Sequence, residues 1–229
     1  MQDPILITGC ARSGTSLTSG VVSLCGAFGG KLAGPTMSNK RGMFENTRIR
    51  NGLVKPYLKS IGADPMGQKP LPNIKAVVES TKDEKFLNNW KQRILQIIKE
   101  DGYKDGPWFY KGAKMCLNWP IWHYCFPKAK WIIVRRDSED IAYSCLRTAF
   151  MSAYQSKDGW LEWVSYHKIR FDEMISFGLD VRQVWPQEMI NGNLQHVRDC
   201  IVNHLGLEWK EQDVLNFIAP ALWSSRKRK

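Results

Sequence analysis

The stretch that decides the fold is residues 4–16, which read Pro-Ile-Leu-Ile-Thr-Gly-Cys-Ala-Arg-Ser-Gly-Thr-Ser. The apolar run 4–8 predicts a short buried strand that ends at Gly9. Ser13 or Thr15 is placed to cap a helix that continues to Leu24. A loop between strand and helix points several backbone N–H groups at one place, beside the positive end of the helix dipole. Residues 9–16 therefore predict a phosphate site, with side-chain donors on Arg12, Ser13, Thr15 and Ser16.

The spacing of this loop argues against the common phosphate-binding classes. It matches the nucleotide-hydrolysing loop except that Thr15 stands where that loop has lysine, whose role is to reach the β- and γ-phosphates. The dinucleotide pattern G-x-G-x-x-G is missing. A phosphatase loop starting at Cys10 would need arginine where Ser16 sits. A glycine- and serine-rich turn without a ligand is the alternative that the motif alone leaves open.

Strand and helix patterns alternate along the rest of the chain. Further strands are predicted at 107–111, 130–134 and 181–185, and helices at 46–60, 83–100, 119–124, 138–150, 160–177, 191–205 and 210–217. Ser138 is predicted to cap the helix that follows the third strand. The prolines and glycines of 62–73 predict a mobile loop. The alternation favours one α/β domain over 1–229, a three-layer P-loop-like fold with a central parallel sheet flanked by helices and a basic tail at 224–229.

The run Arg12-Ser13-Gly14-Thr15-Ser16 resembles the 5′-phosphosulfate-binding loop of the sulfotransferase family. In that family a lysine or arginine opens the loop and Ser-Gly-Thr-Thr/Ser follows. The arginine form seen here is similar to that of the tyrosylprotein and many bacterial sulfotransferases. The resemblance implies that Arg12, Ser13, Gly14, Thr15 and Ser16 bind 3′-phosphoadenosine 5′-phosphosulfate, whose product is adenosine 3′,5′-bisphosphate.

A second motif resembles the family's 3′-phosphate site. There an arginine at the end of a strand acts with a serine eight residues later on the next helix, and Arg136 and Ser144 have that spacing. The alternative is that Arg136 pairs with Asp137 or Asp140 and only ties strand to helix. The family's Tyr-Glu pair near the adenine is replaced here by Val184-Trp185-Pro186-Gln187-Glu188, so no adenine contact is assigned.

Two segments resemble the family's catalytic elements. The run Arg41-Gly42-Met43-Phe44-Glu45-Asn46 is similar to a Gly-aromatic-Glu segment of bacterial sulfotransferases, which implies Glu45 as the base; the alternative is that Glu45 caps the next helix. The run Tyr110-Lys111-Gly112-Ala113-Lys114 resembles a Lys-Asp-Pro stretch. This implies that Lys111, with Arg12, contacts the transferring group, and the alternative is a surface lysine.

Composition leaves the acceptor open. The resemblance implies sulfuryl transfer to a hydroxyl or amine of a small molecule, a sugar or a peptide, without a metal, and the aromatic helix at 154–166 and loops 34–44 and 62–73 are predicted to line the acceptor site. The net charge of +11 permits a nucleic-acid-binding module, and the loop permits a nucleotide kinase or hydrolase. Basic residues are scattered without a binding motif, so no nucleic acid is expected.

Neither a leader nor a membrane span is predicted from the sequence. The chain reaches an apolar strand by Ile5, and no stretch approaches the ~20 apolar residues that a span needs. Six cysteines without a C-x-x-C pair favour a reducing compartment, and the expected location is cytoplasmic. The four histidines are too dispersed to suggest a ligand set, and the oligomeric state is not predicted.

Overall fold

Four parallel strands form one sheet in the order β2-β1-β3-β4. The computed structural model describes residues 1–37 and 39–224, so the last five residues of the predicted basic tail lie outside the described part. The strands are β1 Ile5–Gly9, β2 Phe109–Lys111, β3 Lys130–Val134 and β4 Val181–Val184. Gly9 pairs with Val134 at the carboxyl ends of the two central strands. All four predicted strands are confirmed, with β2 two residues shorter than expected.

Helices cover both faces of this sheet. They are α1 Thr15–Leu24, α2 Thr47–Ile49, α3 Lys55–Ser60, α4 Ile74–Ser80, α5 Glu84–Glu100, α6 Trp119–Cys125, α7 Ser138–Leu146, α8 Lys157–Ser176, α9 Pro186–Ile190, α10 Gln195–Asp199 and α11 Glu211–Phe217. The π-helical segment Arg50–Val54 joins α2 to α3, and a second, Cys200–His204, follows α10. Short 3₁₀ segments are Met115–Asn118 and Pro220–Leu222.

The core lies in two layers, one on each face of the sheet. Leu6 and Ile133 pack into a large layer with residues of α3 to α8, whereas Ile7 and Ile132 pack into a smaller layer with α1, α9, α10 and α11. Successive side chains of a strand point to opposite faces, which explains the split. The predicted α/β architecture of a central parallel sheet between helical layers is thereby confirmed.

Two predicted helix caps are wrong by one residue. The α1 helix has Gly14 as its N-cap, without a side-chain cap from Ser13 or Thr15. At α7 the cap is Asp137, whose carboxylate accepts the amide of Asp140 at 3.0 Å, and Ser138 is the first helical residue. Asp and Ser are equally good N-caps, so the pattern could not choose between neighbours.

The segment 62–73, which the sequence predicted to be a mobile loop, is held by hydrogen bonds to neighbouring residues. Gln68 donates to the carbonyl of Phe150 at 2.7 Å, and its amide oxygen accepts the N–H groups of Ser152 and Ala153. The indole of Trp163 donates to the carbonyl of Gly67 at 2.9 Å. These contacts join the segment to α8 and to residues 150–153 that precede it. A helix that the sequence did not predict, α4, follows the segment.

Within the described residues, all helices are too short or too polar to cross a bilayer. The same residues include no group of three or more His, Cys, Asp or Glu side chains that could hold a metal ion. The six cysteines are buried free thiols.

Candidate active site

The loop 9–16 turns tightly between β1 and α1. A Cβ on Gly9 would lie 2.6 Å from the carbonyl oxygen of Val134, so only glycine fits between the two central strands. Arg12 and Gly14 have φ values of 69° and 98°, in the left-handed region. The Ser13 hydroxyl is buried without a hydrogen-bond partner among the described residues. An uncapped helix end beside an unpaired hydroxyl is an arrangement suited to an anion.

The two predicted phosphate sites meet at Arg12. Its Nε donates to the hydroxyl of Ser144 at 3.0 Å, and the carbonyl of Arg12 accepts from Nη1 of Arg136 at 2.7 Å. Because β1 and β3 are neighbours, their carboxyl ends bring the loop and Arg136 together. Burial lowers the pKa of Arg12, and it lowers the pKa of Arg136 to about 10. Asp140 and Asp137, the partners of the alternative interpretation, partly offset the effect of burial on the pKa of Arg136, so the guanidinium interacts with these acids as well as with the carbonyl of Arg12.

A C-terminal segment, Ala219–Ser224, contacts Arg136 and Ser144. The guanidinium of Arg136 lies 4.3 Å from the ring centre of Trp223 and also donates to the carbonyl of Ser224. The Ser224 hydroxyl donates to that of Ser144 at 3.3 Å, and the indole N–H of Trp223 donates to Gln187 at 2.6 Å. The sequence carried no signal for these contacts, because they join elements far apart in the chain.

Glu45 lies beside the loop. The carbonyl of Met43 accepts from the hydroxyl of Ser16 and from Nζ of Lys111, each at 3.1 Å, which holds this segment against α1 and β2. The helix cap is Asn46, whose side chain accepts the amides of residues 48 and 49. The carboxylate of Glu45 is buried and pairs instead with Arg50 at 3.3 Å. The capping alternative for Glu45 is wrong.

Lys111 is the last residue of β2, next to β1. Its side chain is only 4% exposed, so the surface-lysine alternative is wrong as well. Burial lowers the pKa of Lys111, partly offset by the nearby carboxylate of Glu45. The structure thus brings the predicted residues Arg12, Ser16, Glu45 and Lys111 to one edge of the sheet.

Two cavities open on either side of the loop. The first, of about 250 Å³, lies between the loop, residues 39–42 and the C-terminal segment. Its cationic lining residues are Arg12, Lys40, Arg41 and Arg136, and none of the described lining residues is acidic. This cavity suits a polyanion, while Leu17, Phe217 and Trp223 give it apolar walls.

The second cavity, of about 310 Å³, lies on the other side and contains Glu45 and Lys111. It shares Arg12, Thr15, Ser16 and Asn39 with the first cavity, so the phosphate loop is the common wall. Parts of the three segments that the sequence predicted to surround an acceptor line it, including Asn39, Gln68 and Trp163.

Sequence reasoning missed four polar residues of the second cavity. They are Arg50, Lys55, Lys114 and His167. The ring of His167 is buried, and its Nδ1 donates to the carbonyl of Trp163 at 2.8 Å, so Nε2 carries the lone pair. Burial lowers the pKa of His167 to about 4, so the ring is neutral at pH 7. In the sequence, Lys114 was indicated only by its closeness to Lys111, and no motif indicated Arg50, Lys55 or His167.

Comparison with solved structures shows a fold shared with sulfotransferases. The sulfotransferase domain of the curacin biosynthetic pathway superposes with a TM-score of 0.59 at 13% identity, over 96% of this chain and 78% of that one. Sulfotransferase STF1 of Mycobacterium tuberculosis H37Rv gives 0.54 at 15% identity over 97% and 73%. The sulfotransferase domain of the Synechococcus PCC 7002 olefin synthase gives 0.55 at 14% over 97% and 87%.

Sequence comparison adds nothing to this likeness. No family model matches the chain, and no curated protein is significantly similar to it in sequence. The shared fold confirms the P-loop-like architecture predicted from the strand, loop and helix at 4–24.

Proposed function

We propose that this chain is a sulfotransferase that moves a sulfuryl group from 3′-phosphoadenosine 5′-phosphosulfate to a hydroxyl or amine of a small molecule, sugar or peptide. The observation that carries the proposal is the pair of cavities with a shared wall. One is cationic and apolar, as a phosphorylated nucleotide requires, and the other holds a buried carboxylate and a buried lysine. Arg12, Thr15 and Ser16 face both.

The residues of the loop fit the 5′-phosphate of this donor. The unpaired hydroxyl of Ser13 and the uncapped end of α1 are donors in need of an anion. Arg12 is bonded both to Arg136, which follows β3, and to Ser144 on α7, and this cluster fits a second phosphate on the same nucleotide. A binding phosphate would compete with the carbonyl of Ser224 for the guanidinium of Arg136.

Catalysis would rest on fixed donors and one base. In the overall reaction the sulfur–oxygen bond to the donor's phosphate breaks, a bond from sulfur to the acceptor forms, and the acceptor's proton leaves. Arg12 and Lys111 would stabilise the charge that develops on the leaving oxygen and the sulfuryl group. Glu45, buried and paired with Arg50, would take the proton.

The rival reading as a nucleotide kinase or hydrolase lacks support in the site. Thr15 occupies the position of the catalytic lysine, and Asp137, the acid that the sequence offered as a Mg²⁺ ligand, caps α7. The second rival, a nucleic-acid-binding module, has no recognisable binding motif in the sequence to support it.

Calorimetric titration of the full chain with adenosine 3′,5′-bisphosphate, ATP and NAD, each with and without Mg²⁺, tests the proposal. We expect the bisphosphate to bind without Mg²⁺ and more tightly than the others. Tighter, Mg²⁺-dependent binding of ATP would favour the kinase reading instead. Transfer of label from the ³⁵S-labelled donor to a pool of hydroxylated compounds then tests the reaction itself.

A further inference from the structure

The second cavity holds more positive charge than the proposed donor needs. Among its described lining residues, one carboxylate, that of Glu45, faces five cationic side chains: Arg12, Arg50, Lys55, Lys111 and Lys114. Three of the five are engaged: Arg12 bonds to Ser144, Arg50 to Glu45 and Lys111 to the carbonyl of Met43. The proposed function assigns Arg12 and Lys111 to binding of the donor. It assigns no role to Lys55 and Lys114.

The ammonium groups of Lys55 and Lys114 make no ion pair and no hydrogen bond with any described residue. Lys55 begins the helix α3, and Lys114 follows β2 just before the 3₁₀ segment. Burial lowers the pKa of Lys114, the carboxylate of Glu45 partly offsets this, and the nearby cations of Arg50, Lys111 and Lys55 lower it further, so Lys55 and Lys114 lie close enough for their charges to interact. Two like charges held together in a partly closed cavity favour an anion between them.

Lys114 is held in the wall of the cavity by packing. A Cβ placed on Gly67 would lie 2.8 Å from Cγ of Lys114, so the lysine stem lies directly against this turn. The turn is itself fixed, because Trp163 bonds to Gly67 and Gln68 bonds to Phe150. The stem of Lys114 is therefore packed on a fixed turn at the point where this residue lines the cavity.

We infer that the acceptor carries an oxyanion group, such as a carboxylate or a phosphate, which binds between Lys55 and Lys114 while its hydroxyl or amine faces Glu45. The inference rests on the proposed function and narrows its acceptor. A cavity of about 310 Å³ is at the small end for ligand sites, so the acceptor, or the part of it that enters, is small.

Matched probe pairs test the inference in the presence of saturating adenosine 3′,5′-bisphosphate. The pairs are 4-hydroxyphenylacetate and its amide, 3-hydroxybutyrate and its amide, and glucuronate and glucuronamide. Affinities measured by NMR titration of the full chain should favour the carboxylate by about tenfold in at least one pair, since a charge-assisted contact is lost in the amide. If no carboxylate binds better than its amide, the inference is overturned.

Two lysine variants test whether the preference for a carboxylate arises at Lys55 and Lys114. K55M and K114M should each weaken binding of the preferred carboxylate about tenfold and leave its amide and the bisphosphate unchanged. K59M is the matched control, because Lys59 lies on the same helix as Lys55 but is exposed. Loss of bisphosphate affinity in K55M and K114M would assign these lysines to the donor and overturn the inference. Failure of the wild-type chain to bind the bisphosphate at all would instead contradict the proposed function.

Discussion

Nε of Arg12 donates to the hydroxyl of Ser144 at 3.0 Å, across 132 residues of sequence. This bond joins the loop after β1 to the helix after β3. The hydroxyl is also an acceptor for Ser224, so it organises both phosphate motifs and the C-terminal segment.

The bond between Arg12 and Ser144 predicts energetic coupling. In a double-mutant cycle of R12M and S144A, we expect the two effects on adenosine 3′,5′-bisphosphate affinity to be non-additive by about 1 kcal/mol or more, because each variant removes the other's partner. Calorimetric titration of the four proteins measures this. Additivity within about 0.5 kcal/mol would mean that the two residues bind the nucleotide independently.

Arg136 should select the 3′-phosphate. R136M should lower the affinity for adenosine 3′,5′-bisphosphate about tenfold to a hundredfold, because a charged donor is lost, and leave that for adenosine 5′-monophosphate within about twofold. The control is R135M: Arg135 is the preceding residue but points to Asp172 and Gln183, away from the first cavity. An equal loss for both nucleotides in R136M would show that Arg136 supports the loop rather than the 3′-phosphate.

Glu45 should matter for turnover and not for nucleotide binding. E45Q keeps the shape of the side chain and its contact with Arg50 but cannot take a proton, so transfer of ³⁵S label should fall about a hundredfold or more. The bisphosphate affinity should change by less than about threefold. E79Q, at an exposed position on α4, is the control. Full activity of E45Q would mean that another group accepts the proton.

Gly9 should tolerate no side chain. G9A would place a Cβ 2.6 Å from the carbonyl oxygen of Val134, so the central strands must separate, at a cost of about 1–3 kcal/mol in unfolding free energy. Gly52 has nothing within 4 Å of such an atom, and G52A should be neutral or stabilise by up to about 1 kcal/mol. Urea denaturation compares the two. Equal stability would contradict the close approach of β1 and β3.

His167 should make the fold sensitive to acid. Burial lowers its pKa in the folded state from 6.5 to about 4, so the unfolded chain binds the proton more readily and stability is lost as pH falls through this window. At pH 4.5 the loss relative to pH 7 should be about 2–3 kcal/mol, and H167Q should lack it. The exposed His196 supplies the control variant H196Q. An identical pH dependence in wild type and H167Q would show that His167 does not contribute.

The sequence by itself determined the sheet and the phosphate loop. The apolar runs at 4–8 and 130–134 and the glycines of the loop are local patterns. Parallel strands end at the same edge of a sheet, which is why Arg12 and Arg136 meet there. The alternation of strands and helices gave the layers in the same way. Even here the caps were displaced by one residue, since Asp137 and Ser138 compete on equal terms.

Only the tertiary structure decided what surrounds that edge. The two cavities are lined by residues from separate elements: Lys55, Lys114, His167 and Trp223. Their positions depend on how the helices cross and on hydrogen bonds that hold turns such as the one at Gly67. The tertiary structure also shows that Lys111 is buried and that Glu45, which the sequence allowed as a helix cap, is the partner of Arg50. The periodicity of a sequence shows which face of a helix or strand is apolar. It does not show which side chain from a distant part of the chain will contact that face, because such contacts are set by the packing of the whole core.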